Sequence, residues 1–381
     1  MPRVSALSCI LPTAPESRAA LTPSTPLRIA IDATPLTEPH GGIARYTREI
    51  AAALATEFPD DQYALVSDQD WTAGALPANL RAGRRPRSWI ARRWWTVGLP
   101  LELARLDASV FHGSDFAVPY VPLRPSVMTL HDLSPWLNPE LRPSGSERVR
   151  RRAPLLAKLA TMILTPTETI RRQTIEHFGL PPSRVVAVPL AAGPEFRPRT
   201  AAETMPALAR LGVAPPYLLF IGTRERRKNL TGLLDAWRQA RRRQPDLDLV
   251  VVGPPMPDEA GLIAAGSPPD ADLAALLAAA AIFVYPSLYE GFGLPVLEAM
   301  QSGTPVVISR DPALAEVAGD SAVPVDAAST ASLADAIIGL LANPGRREEL
   351  RTRGLRRAAE FSWRRTAVRT REVYVEALRR F

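Results

Sequence analysis

Residues 285–300 read YPSLYEGFGLPVLEAM, and this stretch decides the fold. The apolar run Ile282–Tyr285 just ahead of it has the length and character of a short buried strand. Pro295 suits a first helical turn, so a short helix is expected from Pro295 to Gln301, stopped by Gly303. Strand, glycine-bearing loop and helix in that order form a Rossmann-like unit. Glu290 falls in the loop and Glu298 in the first turn of the helix, with Gly291 and Gly293 between them. The glycines let the backbone approach a ligand closely. Amides at the helix start, aided by the positive end of its dipole, suit phosphate or sugar oxygens. Glu298 is placed to accept two hydrogen bonds from a vicinal diol such as a ribose. A charged surface loop, with its glutamate favouring the helix N-terminus, is the plainer alternative.

The pattern continues on both sides. Downstream, Pro305–Ser309 reads as a strand. Upstream, Tyr217–Ile221 and Asp246–Val252 read as strands, and Asn229–Gln244 and Asp270–Ala280 as helices. Arg227 and Lys228 lie between a strand and a helix, where a guanidinium and an ammonium can neutralise a diphosphate. A solvated basic loop is the alternative in a chain of net charge +7. Earlier still come a strand at Leu27–Asp32, Gly41-Gly42, and a helix from Ile43 to Phe58. Further strands are expected at Tyr63–Val66, Ala108–Phe111, Ser126–Leu130, Thr161–Leu164 and Val185–Val188, mostly separated by helices. The alternation pauses at Pro194–Pro198 and resumes after about Thr204. This pattern predicts an α/β chain of two Rossmann-like domains whose parallel sheets face a central cleft. His131, followed by Asp132, ends a buried strand at the cleft. A lone histidine is more often structural than catalytic, but this one is at a carboxyl end. His112 follows Phe111 at another strand end and is placed to line the same cleft.

Composition narrows the classes. At 381 residues the chain holds two or three domains, and 46% hydrophobic with 22% charged residues is ordinary for a globular protein. The single cysteine, Cys9, excludes an intramolecular disulfide framework and a multi-cysteine metal site, and it fits a reducing compartment. No apolar run reaches the ~20 residues that span a bilayer. Residues 1–26, rich in Ser, Thr, Pro and Ala, read as a disordered tail rather than a signal peptide. No GxGxxG occurs, which disfavours a nicotinamide dehydrogenase. The Asp68/Asp70, Asp246/Asp248 and Asp270/Asp272 pairs look like turn, strand-start and helix-start residues, so no metal site is assigned. The segment Arg84–Trp95, with Arg85, Trp89, Arg92, Arg93 and Trp94, is basic and aromatic. It reads either as a contact for anionic lipid headgroups or as core tryptophans beside solvated arginines. No nucleic-acid-binding module is recognisable.

From about Leu27 to Tyr374 the chain resembles retaining nucleotide-sugar glycosyltransferases of the GT-B fold, glycosyltransferase family 4 (group 1). The carrying residues are Glu290 with Glu298, Gly41-Gly42 through Tyr46, His131-Asp132, Gly222-Thr223 with Arg227-Lys228-Asn229, Ser302 to Val307, and Phe361-Ser362-Trp363. The Arg-Lys-Asn variant resembles bacterial mannosyltransferases of polysaccharide assembly. The resemblance implies roles residue by residue. Arg227 and Lys228 hold the donor diphosphate, and Glu298 the ribose. Glu290 contacts sugar hydroxyls at the reaction centre, with His131 near the anomeric side. Amides of Phe292, Gly293 and Leu294 touch sugar and phosphate, and Gly42 approaches the phosphates from the acceptor side. It implies a metal-independent hexosyltransferase without a resident cofactor, with GDP-mannose as first-choice donor and a saccharide or lipid-linked saccharide as acceptor. It also implies a cytoplasmic enzyme, peripheral at the inner membrane face. The expected organisation is a tail (1–26), an acceptor-side domain (27–198), a donor-binding domain (199–362) and a C-terminal helix (363–381) packing back toward the first domain. Relatives usually carry a helix where this chain has only Pro254–Gly261, so an uncovered patch of sheet is expected beside the base site near Ser267; Ala281 stands where they often have Asp. A glycoside hydrolase using Glu290 and Glu298 leaves Arg227-Lys228 unexplained. A nucleotide-sugar-binding module with degenerate catalysis is the non-enzyme alternative.

Overall fold

The computed structural model describes residues 25–38, 41–72, 74–84, 86, 91–138, 141 and 147–381. Residues 1–24 of the expected tail, together with His40, Arg85 and Trp89, lie outside the described residues.

Two parallel sheets carry the molecule. The first has seven strands: β1 (Arg28–Asp32), β2 (Gln62–Val66), β3 (Leu80–Ala82), β4 (Val110–Gly113), β5 (Ser126–Thr129), β6 (Met162–Thr165) and β7 (Val185–Ala187), in the order β3-β2-β1-β4-β5-β6-β7. The second has six: β8 (Tyr217–Ile221), β9 (Asp248–Val252), β10 (Leu262–Gly266), β11 (Ile282–Tyr285), β12 (Val306–Ser309) and β13 (Val323–Val325), ordered β10-β9-β8-β11-β12-β13. Each order reverses beside its first strand, and the reversal opens a crevice at the carboxyl ends. Central strands β4, β5, β6, β11 and β12 are buried along their whole length, as parallel strands covered on both faces must be.

Helices form where apolar residues recur every three or four positions. In Gly42–Glu57 the buried residues are Ala44, Tyr46, Thr47, Ile50, Ala51, Leu54 and Ala55, one face of the helix. The C-terminal helix Trp363–Arg380 lies along it. Arg371 Nε donates to Asp61 Oδ2 at 2.7 Å, and the Tyr374 hydroxyl meets His112 Nδ1 at 2.7 Å. His112 Nε2 in turn meets Thr129 Oγ1 at 2.8 Å. His112 is fully buried and therefore does not line the cleft, because the C-terminal helix covers it. Burial, with His131 nearby, pushes its imidazole down to about 3, so it is neutral.

Trp94, Trp95, Arg92 and Arg93 are arranged as core tryptophans beside solvated arginines, one of the two readings of that segment, and one strand is shorter than expected. Trp94 packs in the core with Leu99 and Phe111, and Trp95 meets Phe111 edge-on, while Arg92 and Arg93 are exposed. Strand β9 starts at Asp248, so Asp246 precedes it. Between Gly253 and Gly261 there is no helix, and only Leu262 of β10 is buried.

Candidate active site in the cleft

Strand β8 runs into a single tight turn, Arg226–Lys228, ahead of the helix Leu230–Arg241. That turn aims Lys228 under the loop that follows β11. Lys228 Nζ donates to Glu290 Oε1 at 2.5 Å and to the Tyr285 hydroxyl at 2.7 Å. Arg227 NH1 reaches Glu290 Oε2 at 3.2 Å, and its Nε reaches Glu225 Oε2 at 2.7 Å. Ser287 Oγ donates to Glu290 Oε1 at 2.6 Å. Two cations and a hydroxyl thus converge on one buried carboxylate. Burial alone would raise the Glu290 carboxyl; Lys228 and Arg227 outweigh it and hold it at about 2. Burial pushes the Lys228 ammonium below its ordinary range, with Glu290 opposing.

Gly293, at φ +90°, turns the loop into the helix Leu294–Gln301. Phe292 and Leu294 are buried, and the Phe292 ring packs edge-on against Phe361 at 5.9 Å. Glu298 is 2% exposed, and its Oε1 accepts from Arg45 NH1 of the first domain. Burial raises the Glu298 carboxyl, although Arg45 pulls it down. Burial, with Glu290 and Glu298 nearby, pushes the Tyr285 hydroxyl well above its ordinary range.

The first domain faces this loop directly. A Cβ on Gly291 would stand 1.9 Å from the His131 carbonyl oxygen, so only glycine allows the approach. Thr167 Oγ1 donates to the Gly291 carbonyl at 3.0 Å, and Leu133 N to the Tyr289 hydroxyl at 3.0 Å. His131 Nε2 donates to the Ser114 carbonyl at 2.8 Å, and the ring sits edge-on to Tyr46 at 5.0 Å. Burial lowers the His131 imidazole pKa. Gly42 is the exposed first residue of its helix, with open space where a Cβ would stand.

Arg227, Lys228 and Glu290 therefore meet one another, the His131 backbone faces Gly291 of the same loop, and Glu298, in the helix that follows, is reached by Arg45 from the first domain. Sequence reading assigned no role to Arg45, Ser287 or Asp311. Asp311 caps the helix Pro312–Ala318 through Ala313 N and Leu314 N, both at 3.0 Å, and accepts from Glu290 N at 3.4 Å. Arg45 belongs to the quoted glycine-loop stretch, but its partners lie more than two hundred residues away. Among the described residues no group of three or more His, Cys, Asp or Glu side chains is arranged to hold a metal ion. Asp270 and Asp272 instead pair with Arg45 and Arg210.

The chain matches the Glycosyltransferase Family 4 domain over residues 40–196 and the Glycosyl transferases group 1 domain over residues 210–357. It belongs to this family, and it is a hexosyltransferase with the GT-B fold. It is 37% identical to O-antigen chain mannosyltransferase B of Escherichia coli over 285 residues, which is 70% of this chain and 74% of that one. Sucrose-phosphate synthase from Thermosynechococcus elongatus shares the fold at TM-score 0.72 and 19% identity, over 92% of this chain and 98% of its own. Anabaena HepE, solved in complex with UDP-glucose, follows at TM-score 0.68 and 17% identity, over 93% and 100% of the two chains.

Proposed function

We propose that this enzyme transfers a mannosyl residue from GDP-mannose to a hydroxyl of a saccharide or lipid-linked saccharide in polysaccharide assembly, with retention of anomeric configuration. One observation carries the reading: Lys228 and Arg227 converge on Glu290 at the cleft, facing the His131 backbone. An arriving diphosphate draws both cations from Glu290, which is then free to accept hydrogen bonds from the donor sugar. Glu298 holds the ribose, and the amides at Phe292–Leu294 with Gly42 close around the phosphates. As the bond from the anomeric carbon to the β-phosphate oxygen breaks, its electron pair leaves with the phosphate. Arg227 and Lys228 stabilise that charge. The acceptor oxygen bonds to the same face of the sugar, and its proton passes to the departing phosphate oxygen. His131, held by Ser114, lies on the anomeric side. The narrow gap between Gly291 and His131 excludes water and favours transfer over hydrolysis.

The identity of the E. coli relative supports mannose, and the UDP-glucose of HepE makes a nucleotide sugar the class to screen. The test incubates the enzyme with GDP-mannose, UDP-glucose and ADP-glucose against mannosyl glycolipid acceptors and reads the product by NMR. An α-mannosyl product, unaffected by chelator, is expected. A β-linked product contradicts retention, and a preference for another donor contradicts the assignment of mannose. Nucleotide binding without turnover on any acceptor supports the degenerate binding module, a reading that rests on the helix-free segment Gly253–Gly261.

A further inference from the structure

Arg45 stands on the first domain but ends in the second. It leaves the helix Gly42–Glu57 over the Phe196 ring, with its guanidinium carbon 5.2 Å from the ring centroid. One arm, NH1, binds Glu298 Oε1; the other, NH2, binds Asp270 Oδ1 at 2.5 Å. The three side chains differ in exposure: Glu298 3%, Arg45 17% and Asp270 49%. A carboxylate as buried as Glu298 needs a partner, and Arg45 supplies it. A ribose 2′,3′-diol needs the same carboxylate oxygens.

We propose that Arg45 is a specificity-determining residue of the donor site: nucleotide binding exchanges the Arg45 guanidinium for the ribose diol at Glu298. The inference rests on the ribose role proposed above for Glu298. Asp270 makes the exchange feasible. It is half exposed and already holds the second arm, so Arg45 keeps a counter-charge after NH1 lets go. Arg45 thereby sets how strongly the diol is rewarded, because the diol hydrogen bond at Oε1 replaces an ion pair. The exchange also removes an ion pair that ties the two domains together, so donor arrival is felt by the first domain.

The test is calorimetric binding of GDP and 2′,3′-dideoxy-GDP to the full chain, with the UDP and ADP pairs in parallel, read on the pair that binds. The wild type is expected to prefer the diol-bearing nucleotide. In Arg45→Gln, affinity for that nucleotide is expected to rise about tenfold, while the dideoxy form is unchanged. Arg45→Lys, which cannot reach both carboxylates, should fall between. Asp270→Asn removes the counter-charge that Arg45 keeps after NH1 lets go and should narrow the same ratio by lowering affinity for the diol form alone, which keeps the test available if Arg45→Gln folds poorly. Three Arg45→Gln outcomes count against the exchange. Equal losses for both nucleotides place Arg45 on the diphosphate and overturn the exchange. A loss confined to the diol form means Arg45 orients Glu298, and an unchanged ratio means it does nothing there; both also overturn it. A wild type indifferent to the diol instead removes the ribose reading of Glu298, and the exchange with it.

Discussion

Glu290 carries a structural load. It is the shared counter-charge of Lys228 and Arg227, all three largely buried. Removing it leaves Lys228 without its counter-charge and Arg227 with Glu225 as its remaining ion-pair partner, at a cost of about 3 kcal/mol. Glu290→Ala is expected to abolish transfer and to lower the thermal midpoint. GDP should then raise the midpoint of the variant more than that of the wild type, because the diphosphate replaces the lost charge. Equal nucleotide-induced shifts contradict this. The pH dependence has a definite sign. Glu290 titrates near 4.5 unpaired and at about 2 in the fold, so its contribution is complete above about 4.5 and fades as pH falls toward 2. The midpoint gap between wild type and Glu290→Ala should narrow over that window. The positions of Glu290, Lys228 and Arg227 were legible in the sequence, since each lies in a short loop between a recognisable strand and helix. Their mutual pairing was not, because it depends on how two loops far apart in sequence cross.

Elements were legible to the extent that they are long and buried. Strands β8 and β11 occur with the bounds expected, and Gly42–Glu57 within a residue at each end. The edge strands β3 and β13 were missed: each has three residues interrupted by Arg81 or Pro324, whereas β7, equally short, lies in an unbroken apolar run. His112 was misread because nothing local reveals that a helix more than two hundred residues later covers its strand. That helix is stitched on by polar contacts as well as by apolar ones. Tyr374→Phe removes the hydroxyl facing His112 Nδ1 and leaves a buried ring nitrogen unpaired, at about 1–3 kcal/mol. A midpoint lowered by several degrees, with nucleotide affinity retained, is the expected outcome of a thermal scan. An unchanged midpoint contradicts the stitching.

At the scale of the molecule, closure is built from contacts that neither domain makes alone. Glu316 of the second domain caps the helix Glu168–Phe178 of the first, accepting from Glu168 N at 2.6 Å and from Thr169 N at 2.9 Å. Gln301 Nε2 donates to the Gly193 carbonyl at 2.7 Å, and Tyr289 bridges to Leu133 and Gln173. These contacts bring the carboxyl ends of both sheets together around the crevice. A diphosphate gripped by Lys228 and Arg227 is the central element of the proposed function. The direct measurement is calorimetric binding of a nucleoside diphosphate and of the matching nucleoside to wild type and Lys228→Ala. The diphosphate is expected to lose about 10- to 100-fold in affinity, the worth of one or two charged hydrogen bonds, while the nucleoside is unchanged. Equal losses for the two ligands would contradict it.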